Sequence, residues 1–234
     1  MALTDIIHIT KTVNELVRKT APWVPSREKE LAAALGLYET LMQFEGDMDI
    51  NTASEAYFYK GFAHGKLGKL EEAILNYDKA IELKPNYAVA YNNRGVAKQE
   101  LGRHEDALPD LDKAIELDPN NAAAYNNRGV AKQELGRHEE AILDLDKAIE
   151  LEPKSSHSYS WRGSIYEQQG ETEKAKANYQ TALQQLQEIP GDKLHKNNIG
   201  YLIGVTEGLT RLGEDLTEKV EKYHKLAEER GYKF

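Results

Sequence analysis

The chain has 234 residues, no cysteine, and 30 basic against 39 acidic side chains, a formal net charge of −9. Without thiols there are no disulfides, thiolate metal sites or cysteine nucleophiles, and an acidic balance offers no footprint for a nucleic-acid backbone or an anionic membrane. No apolar run is long enough to span a bilayer, and the opening residues carry charges throughout, unlike a secretory signal, so a cytoplasmic chain without membrane insertion is expected.

Thr4 and Asp5 read as a helix start, and Ile6, Ile9, Val13 and Leu16 follow at three- and four-residue spacings that place them on one face. The helix is expected to end before Ala21. Its stripe serves either as an end cap on the later helices or as a docking face, self-association included. Pro22 and Pro25 break the pattern, and Ser26 is placed to cap a second helix running to about Phe44 through Leu31, Leu35, Tyr38, Leu41 and Met42. Asp47, Asp49 and Asn51 alternate as calcium-loop ligands do. An EF-hand loop would next need a glycine and, at its twelfth place, a glutamate; Thr52 and Phe58 stand there, so an acidic connecting turn is the better reading.

Residues 88–121 and 122–155 are then one sequence written twice, differing at seven of 34 positions. A gapless self-match of this period predicts a stacked array in which neighbours share small cores. Diverged copies are expected at 54–87 and 156–189. Tyr57, Tyr91, Tyr125 and Tyr159 open a first helix in each copy, and Gly61, Gly95, Gly129 and Gly163 lie one turn on, where a missing side chain allows close helix approach. Gly68, Gly102, Gly136 and Gly170 end that helix. In the second helix Ala73, Ala107, Ala141 and Ala175 recur seven residues before Ala80, Ala114, Ala148 and Ala182, flanked by Tyr77, Leu111, Leu145 and Tyr179. Pro85, Pro119 and Pro153 close the units; the fourth has Gln187 there, so its second helix should run longer.

Tyr, Gly, Gly, Ala, Ala and Pro at these spacings make the sequence resemble a tetratricopeptide repeat protein over residues 54–189. The resemblance implies an all-α, right-handed superhelical solenoid of helix-turn-helix units. Its first helices would line a concave groove that holds a peptide or helix of a partner protein. It also implies the domain plan: N-terminal helices over 1–53, four units over 54–87, 88–121, 122–155 and 156–189, and a degenerate fifth unit with a capping helix over 190–234. Members that grip a C-terminal carboxylate use a lysine-and-asparagine set on successive first helices; Phe58, Phe62, Ala123 and Asn127 stand at those places, so no such clamp is expected.

Helix geometry then selects groove residues. If Tyr91, Gly95 and Lys98 face the second helix, Asn92, Asn93, Val96, Gln99 and Glu100 turn away from it, with Asn126, Asn127, Val130, Gln133 and Glu134 as their counterparts. These amides form a ladder suited to a peptide backbone. Phe58, Tyr59 and Phe62 in the first copy, and His157, Ser160, Trp161 and Ser164 in the fourth, are either aromatic anchors for a partner or surfaces covered by the chain's own terminal helices.

Arg94 and Arg128 are expected to pair with Asp110 and Asp144 on the facing second helix, whereas Asn178 replaces the acid opposite Arg162. His104 and His138 open second helices about 10 Å apart, too far to share a metal, and are expected to pack or cap. Pro109, in place of Leu143 of the twin copy, predicts a frayed or kinked helix start unless it falls in the first turn. Leu202, Val205, Leu209 and Leu212 mark a further helix stopped by Gly213, and Leu216, Val220, Tyr223 and Leu226 a last one with a charged outer face. No hydrolase elbow, phosphate loop or metalloprotease motif occurs. The expectation is a non-enzymatic scaffold without cofactor or metal; the alternative is a regulator gated by a peptide or ligand, with the N-terminal helices as effector or self-association element.

Overall fold

The computed structural model describes residues 3–19, 28–190, 194 and 196–232, and the chain falls into two compact units, Met1–Pro119 and Asn120–Phe234. Among the described residues there are helices and no strands. The first unit holds α1 (Leu3–Lys19), α2 (Glu28–Leu41), α3 (Ile50–Lys66), α4 (Leu70–Leu83), α5 (Ala88–Glu100) and α6 (His104–Leu117). The second holds α7 (Ala122–Glu134), α8 (His138–Leu151), α9 (Ser156–Gln168), α10 (Thr172–Gln187), α11 (Lys196–Arg211) and α12 (Thr217–Glu229). The two prolines and Ser26, expected to separate and cap the first helices, lie outside the described residues.

In the first unit, Ile6, Val13 and Val17 of α1 pack with Leu31, Leu35, Tyr38 and Leu41 of α2 and with Ala56 and Ala63 of α3. The stripe expected on α1 is corrected at Leu16, which is 37% exposed; the buried line continues through Thr10, Asn14 and Val17 instead. The polar pair on that line is hydrogen-bonded except at Asn14 Nδ2, which meets no partner among the described residues. Thr10 donates to the Ile6 carbonyl at 2.8 Å, and the Tyr38 hydroxyl donates to Asn14 Oδ1 at 2.7 Å. The second helix also ends sooner than Phe44, whose backbone is non-helical (φ −110°, ψ 19°), and the chain passes through a 3₁₀ turn over Met42–Asp47.

Asp49, one of the alternating acids that suggest a cation loop, is the N-cap of α3. It accepts from the Thr52 backbone N–H at 3.0 Å and from its hydroxyl at 2.5 Å, bonds that hold the carboxyl below its ordinary range. This cap starts α3 at Ile50, four residues ahead of the expected Ser54.

From α3 onward the helices pair as hairpins. A Cβ on Gly95 would stand 2.9 Å from Leu111 Cγ, and one on Gly129 3.0 Å from Leu145 Cγ, so these positions admit only hydrogen. The alanines of the second helices are fully buried along the same seam. Gly102 and Gly136 turn the chain at φ 74° and 72°, in the left-handed region.

Arg94 Nε donates to Asp110 Oδ2 at 2.9 Å, and Arg128 Nε to Asp144 Oδ2 at 2.9 Å, as the sixteen-residue spacing predicts. Each acid also meets a lysine, Lys98 at 2.7 Å and Lys132 at 2.8 Å. Arg162 instead donates to Asn178 Oδ1 at 2.8 Å and pairs with Asp146. His104 and His138 begin α6 and α8 behind Arg103 and Arg137 at the N-cap.

Pro109 corrects an expectation. It lies well inside α6, yet the helix runs unbroken from His104, with the ring on the exposed face. The helix of the fourth copy is longer, 16 residues against 14 in α8. Beyond the copies, α11 and α12 form another hairpin. Ile199, Leu202, Val205 and Leu209 are buried, and a Cβ on Gly208 would stand 2.7 Å from the Tyr179 ring, the close approach seen at Gly95 and Gly129. Tyr223 and Ala227 are the buried positions of α12, whose remaining surface is charged.

Candidate binding site

In the second unit, α7, α9 and α11 are successive first helices of their hairpins, and two cavities lie along them. The larger, about 570 Å³, is lined by Ser160, Trp161 and Ser164 of α9 and by Asn197, Gly200, Tyr201, Gly204 and Arg211 of α11, with Tyr179 behind. The smaller, about 260 Å³, is lined by Ala122, Ala123, Asn126 and Asn127 of α7, by Glu152, Ser155 and His157, and again by Asn197 and Tyr201. Tyr201 stands between them. Its hydroxyl accepts from Trp161 Nε1 at 3.1 Å, the two rings meet edge to face, and its ring centroid lies 4.2 Å from that of His157. These contacts fix three aromatic side chains in one wall.

Side chains on this wall also tie the helices together. Ser158 Oγ donates to Asn126 Oδ1 at 2.9 Å, and Gln133 Nε2 donates to Ser164 Oγ at 3.3 Å. Gln133 is 7% exposed and its Oε1 meets no partner; the buried His157 Nε2 meets none either. Burial pushes the His157 imidazole below its ordinary pKa, so the ring is neutral at pH 7. Arg211 donates to Glu167 at 2.9 Å, which holds that carboxyl below its usual range and cancels the cation at the rim of the larger cavity.

The first unit offers less. Phe62, Lys66, Asn93, Val96 and Glu100 line a cavity of about 110 Å³. Phe58, expected as an anchor or as a surface for the terminal helices to cover, is 7% exposed and packs among Tyr59, Tyr77 and Tyr87; it is a core residue because α5 closes over it. Tyr59 and Phe62 are half-buried against the core built by α1 and α2, so the chain's own N-terminal helices cover much of them. Asn92 is likewise withdrawn, 8% exposed, and its Nδ2 donates to Asn93 Oδ1 at 3.2 Å. Gln99 and Val130 are half-buried.

Of the residues selected from sequence, Asn126, Asn127, His157 and Trp161 come together around the two cavities, and Phe58, Asn92 and Gln133 are in the interior. Asn197, Tyr201, Gly204 and Arg211 were not foreseen. Their signal was the Gly200, Gly204, Gly208 spacing on α11, a row of absent side chains along one face of that helix.

Helical hairpins stacked so that consecutive first helices share a polar and aromatic face define an all-α solenoid of the protein-interaction scaffold class. The tetratricopeptide repeat model matches residues 88–121 and 122–155, a TPR repeat model matches 62–102, and a further tetratricopeptide repeat model matches 145–177. The chain is a tetratricopeptide repeat protein.

Among solved structures, it is similar to PilW, described as a widely conserved type IV pilus biogenesis factor, at 16% identity and TM-score 0.67 over 96% of this chain and 95% of that one. It is similar to MamA 41-end from Desulfovibrio magneticus RS-1 at 20% identity and TM-score 0.63, over 76% and 94%. The TPR domain of Arabidopsis OM64 matches at 32% identity and TM-score 0.51, over 51% and 99%. The first two likenesses concern the fold. No curated protein matches the chain. Among the described residues no helix is long and apolar enough to cross a membrane.

Proposed function

We propose that the chain is an adaptor that holds a segment of a partner protein on the face formed by α7, α9 and α11. In this reading residues 54–189 are the repeat array, 1–53 cover its start, and 190–234 supply a fifth hairpin that contributes to the site. The observation that carries it is the pair of adjoining cavities sharing Asn197 and Tyr201, with aromatic side chains already fixed in place. A wall ordered before binding loses little conformational entropy on contact, which suits recognition of a flexible segment. Amide and hydroxyl groups of Asn127, Asn197 and Ser160 line the cavities and can bond a partner's backbone without a charge to desolvate.

The test places a photo-crosslinking residue at Ser160, in the larger cavity, or at Leu143, exposed on α8 outside both cavities. A discrete adduct from position 160 and none from 143 is expected in cells of the native host. Equal labelling from both, or labelling from 143 alone, would show that this face is not the binding surface.

A further inference from the structure

The chemistry of the two cavities points to a particular occupant, an inference that rests on reading this face as a protein-binding surface. We propose that it takes a basic segment of a partner protein with one bulky apolar side chain, the apolar group entering the larger cavity and a lysine or arginine meeting Glu152 in the smaller.

The larger cavity has the form of an apolar slot. Ser160 and Ser164 on α9 and Gly200 and Gly204 on α11 are each four residues apart, so two rows of small residues line it beside the wall formed by Trp161 and Tyr201. A Cβ on Gly204 would meet nothing within 4 Å, so the space over it is open. Its one lining cation, Arg211, is held by Glu167, leaving no net charge to repel an apolar group.

The smaller cavity has one charge and it is negative. Glu152 is exposed and is the one formally charged side chain among its lining residues, beside the amides of Asn127 and Asn197 and the neutral His157. An ammonium or guanidinium group supplies several donors and the opposite charge, whereas a carboxylate would meet Glu152 as a like charge. The net charge of −9 acts in the same direction at longer range, drawing cationic segments towards the chain.

The experiment selects from a display library of random dodecapeptides against the full chain and against two variants, Gly204→Leu and Glu152→Gln. Wild type should enrich peptides with Lys or Arg together with one of Leu, Ile, Phe or Trp. Gly204→Leu fills the slot and should lose the apolar preference while keeping the basic one; Glu152→Gln should do the reverse. For a wild-type-selected peptide followed by fluorescence anisotropy, each variant should bind roughly tenfold more weakly. Circular dichroism establishes that each variant is folded, and Trp161→Ala replaces Gly204→Leu if leucine disturbs α11.

Enrichment of acidic peptides, or of peptides without a bulky apolar residue, that still depends on both positions overturns the occupant and leaves the face standing. Enrichment indifferent to both substitutions, or no enrichment by wild type, overturns the occupant and the face together. Selection of sequences matching a segment of this chain, with a dimer in solution that Gly204→Leu abolishes, would replace the partner by a second copy.

Discussion

Asp110 is 4% exposed beneath two cations, Arg94 and Lys98, and Asp144 repeats the arrangement with Arg128 and Lys132. The diverged copies show that these charges come as a set. In the first copy the acid is Asn76 and the lysine is His64; in the fourth they are Asn178 and Tyr166. The acid is kept where the second cation is present. Removing it should leave Lys98 without an acid and Arg94 with only the half-exposed Asp78, so Asp110→Ala is expected to cost about 3–5 kcal/mol in chemical denaturation. Asp78→Ala, which removes the half-exposed second partner of Arg94, should cost below about 1 kcal/mol. Adding Lys98→Tyr to Asp110→Asn should recover part of the loss from Asp110→Asn alone, as the fourth copy has done; no recovery would mean the residues do not act together.

His157 carries the residue-scale prediction on pH. Burial places its folded pKa below the ordinary value near 6.5, so the unfolded chain takes up the proton first as pH falls. The neutral ring's contribution is therefore intact above about pH 6.5 and is lost as pH falls from there through the folded pKa. Thermal midpoints at about pH 7.5 and 5.5 should fall further for wild type than for His157→Gln. An equal fall in both would assign the acid sensitivity elsewhere, His64 being the next candidate because burial lowers it too.

At the scale of the element, α6 and α8 are a natural comparison. They have 14 residues each and near-identical sequence, but Pro109 stands in α6 where α8 has Leu143. Proline has no N–H for the Glu105 carbonyl one turn back and crowds it, a cost the continuous helix bears without fraying. Pro109→Leu should raise stability by roughly 1–3 kcal/mol, less whatever the freer unfolded chain takes back. The gain is expected from the backbone alone, since Leu143 is 69% exposed in the twin helix. A lowered thermal midpoint would mean that the proline makes a contact worth more than its helix penalty.

Helix ends and seams were legible because glycine, alanine and proline act locally: a positive φ at Gly102 or a contact at Gly95 comes from a missing Cβ wherever the copy occurs. The face each first helix presents was less legible. Rotating away from one hairpin partner selects Phe58, Asn92 and Gln133, but all three are buried: Phe58 packs on Tyr77 of its own hairpin and on Ala90 of α5, and Gln133 donates to Ser164 of α9. Tyr201 and Asn197 were hidden for another reason. Their helix is no copy of anything, and its apolar spacing showed the core side without the side facing the cavities.

For the whole molecule, the question a stacked fold poses is what covers its last apolar face, since every hairpin leaves one for the next. Here α10 offers Tyr179, Leu183 and Leu186, all buried, and α11 answers with Ile199, Leu202 and Leu209 and with Gly208 against the Tyr179 ring. Then α12 presents a charged outer face: Tyr223 and Ala227 face inward, while Glu218, Lys219, Glu221, Lys222, Lys225 and Glu228 are exposed. The order of cover predicts the order of damage. A chain stopped after Gly213 loses the charged helix and should melt a few degrees lower; one stopped after Pro190 also uncovers α10 and should fall by about 10 °C or more and aggregate. Light scattering with a thermal melt distinguishes the two. If the shorter chain stays monodisperse and melts with the longer, the final hairpin is an appendage to the array and not its cover, and its residues at the cavities would be the whole reason for its place there.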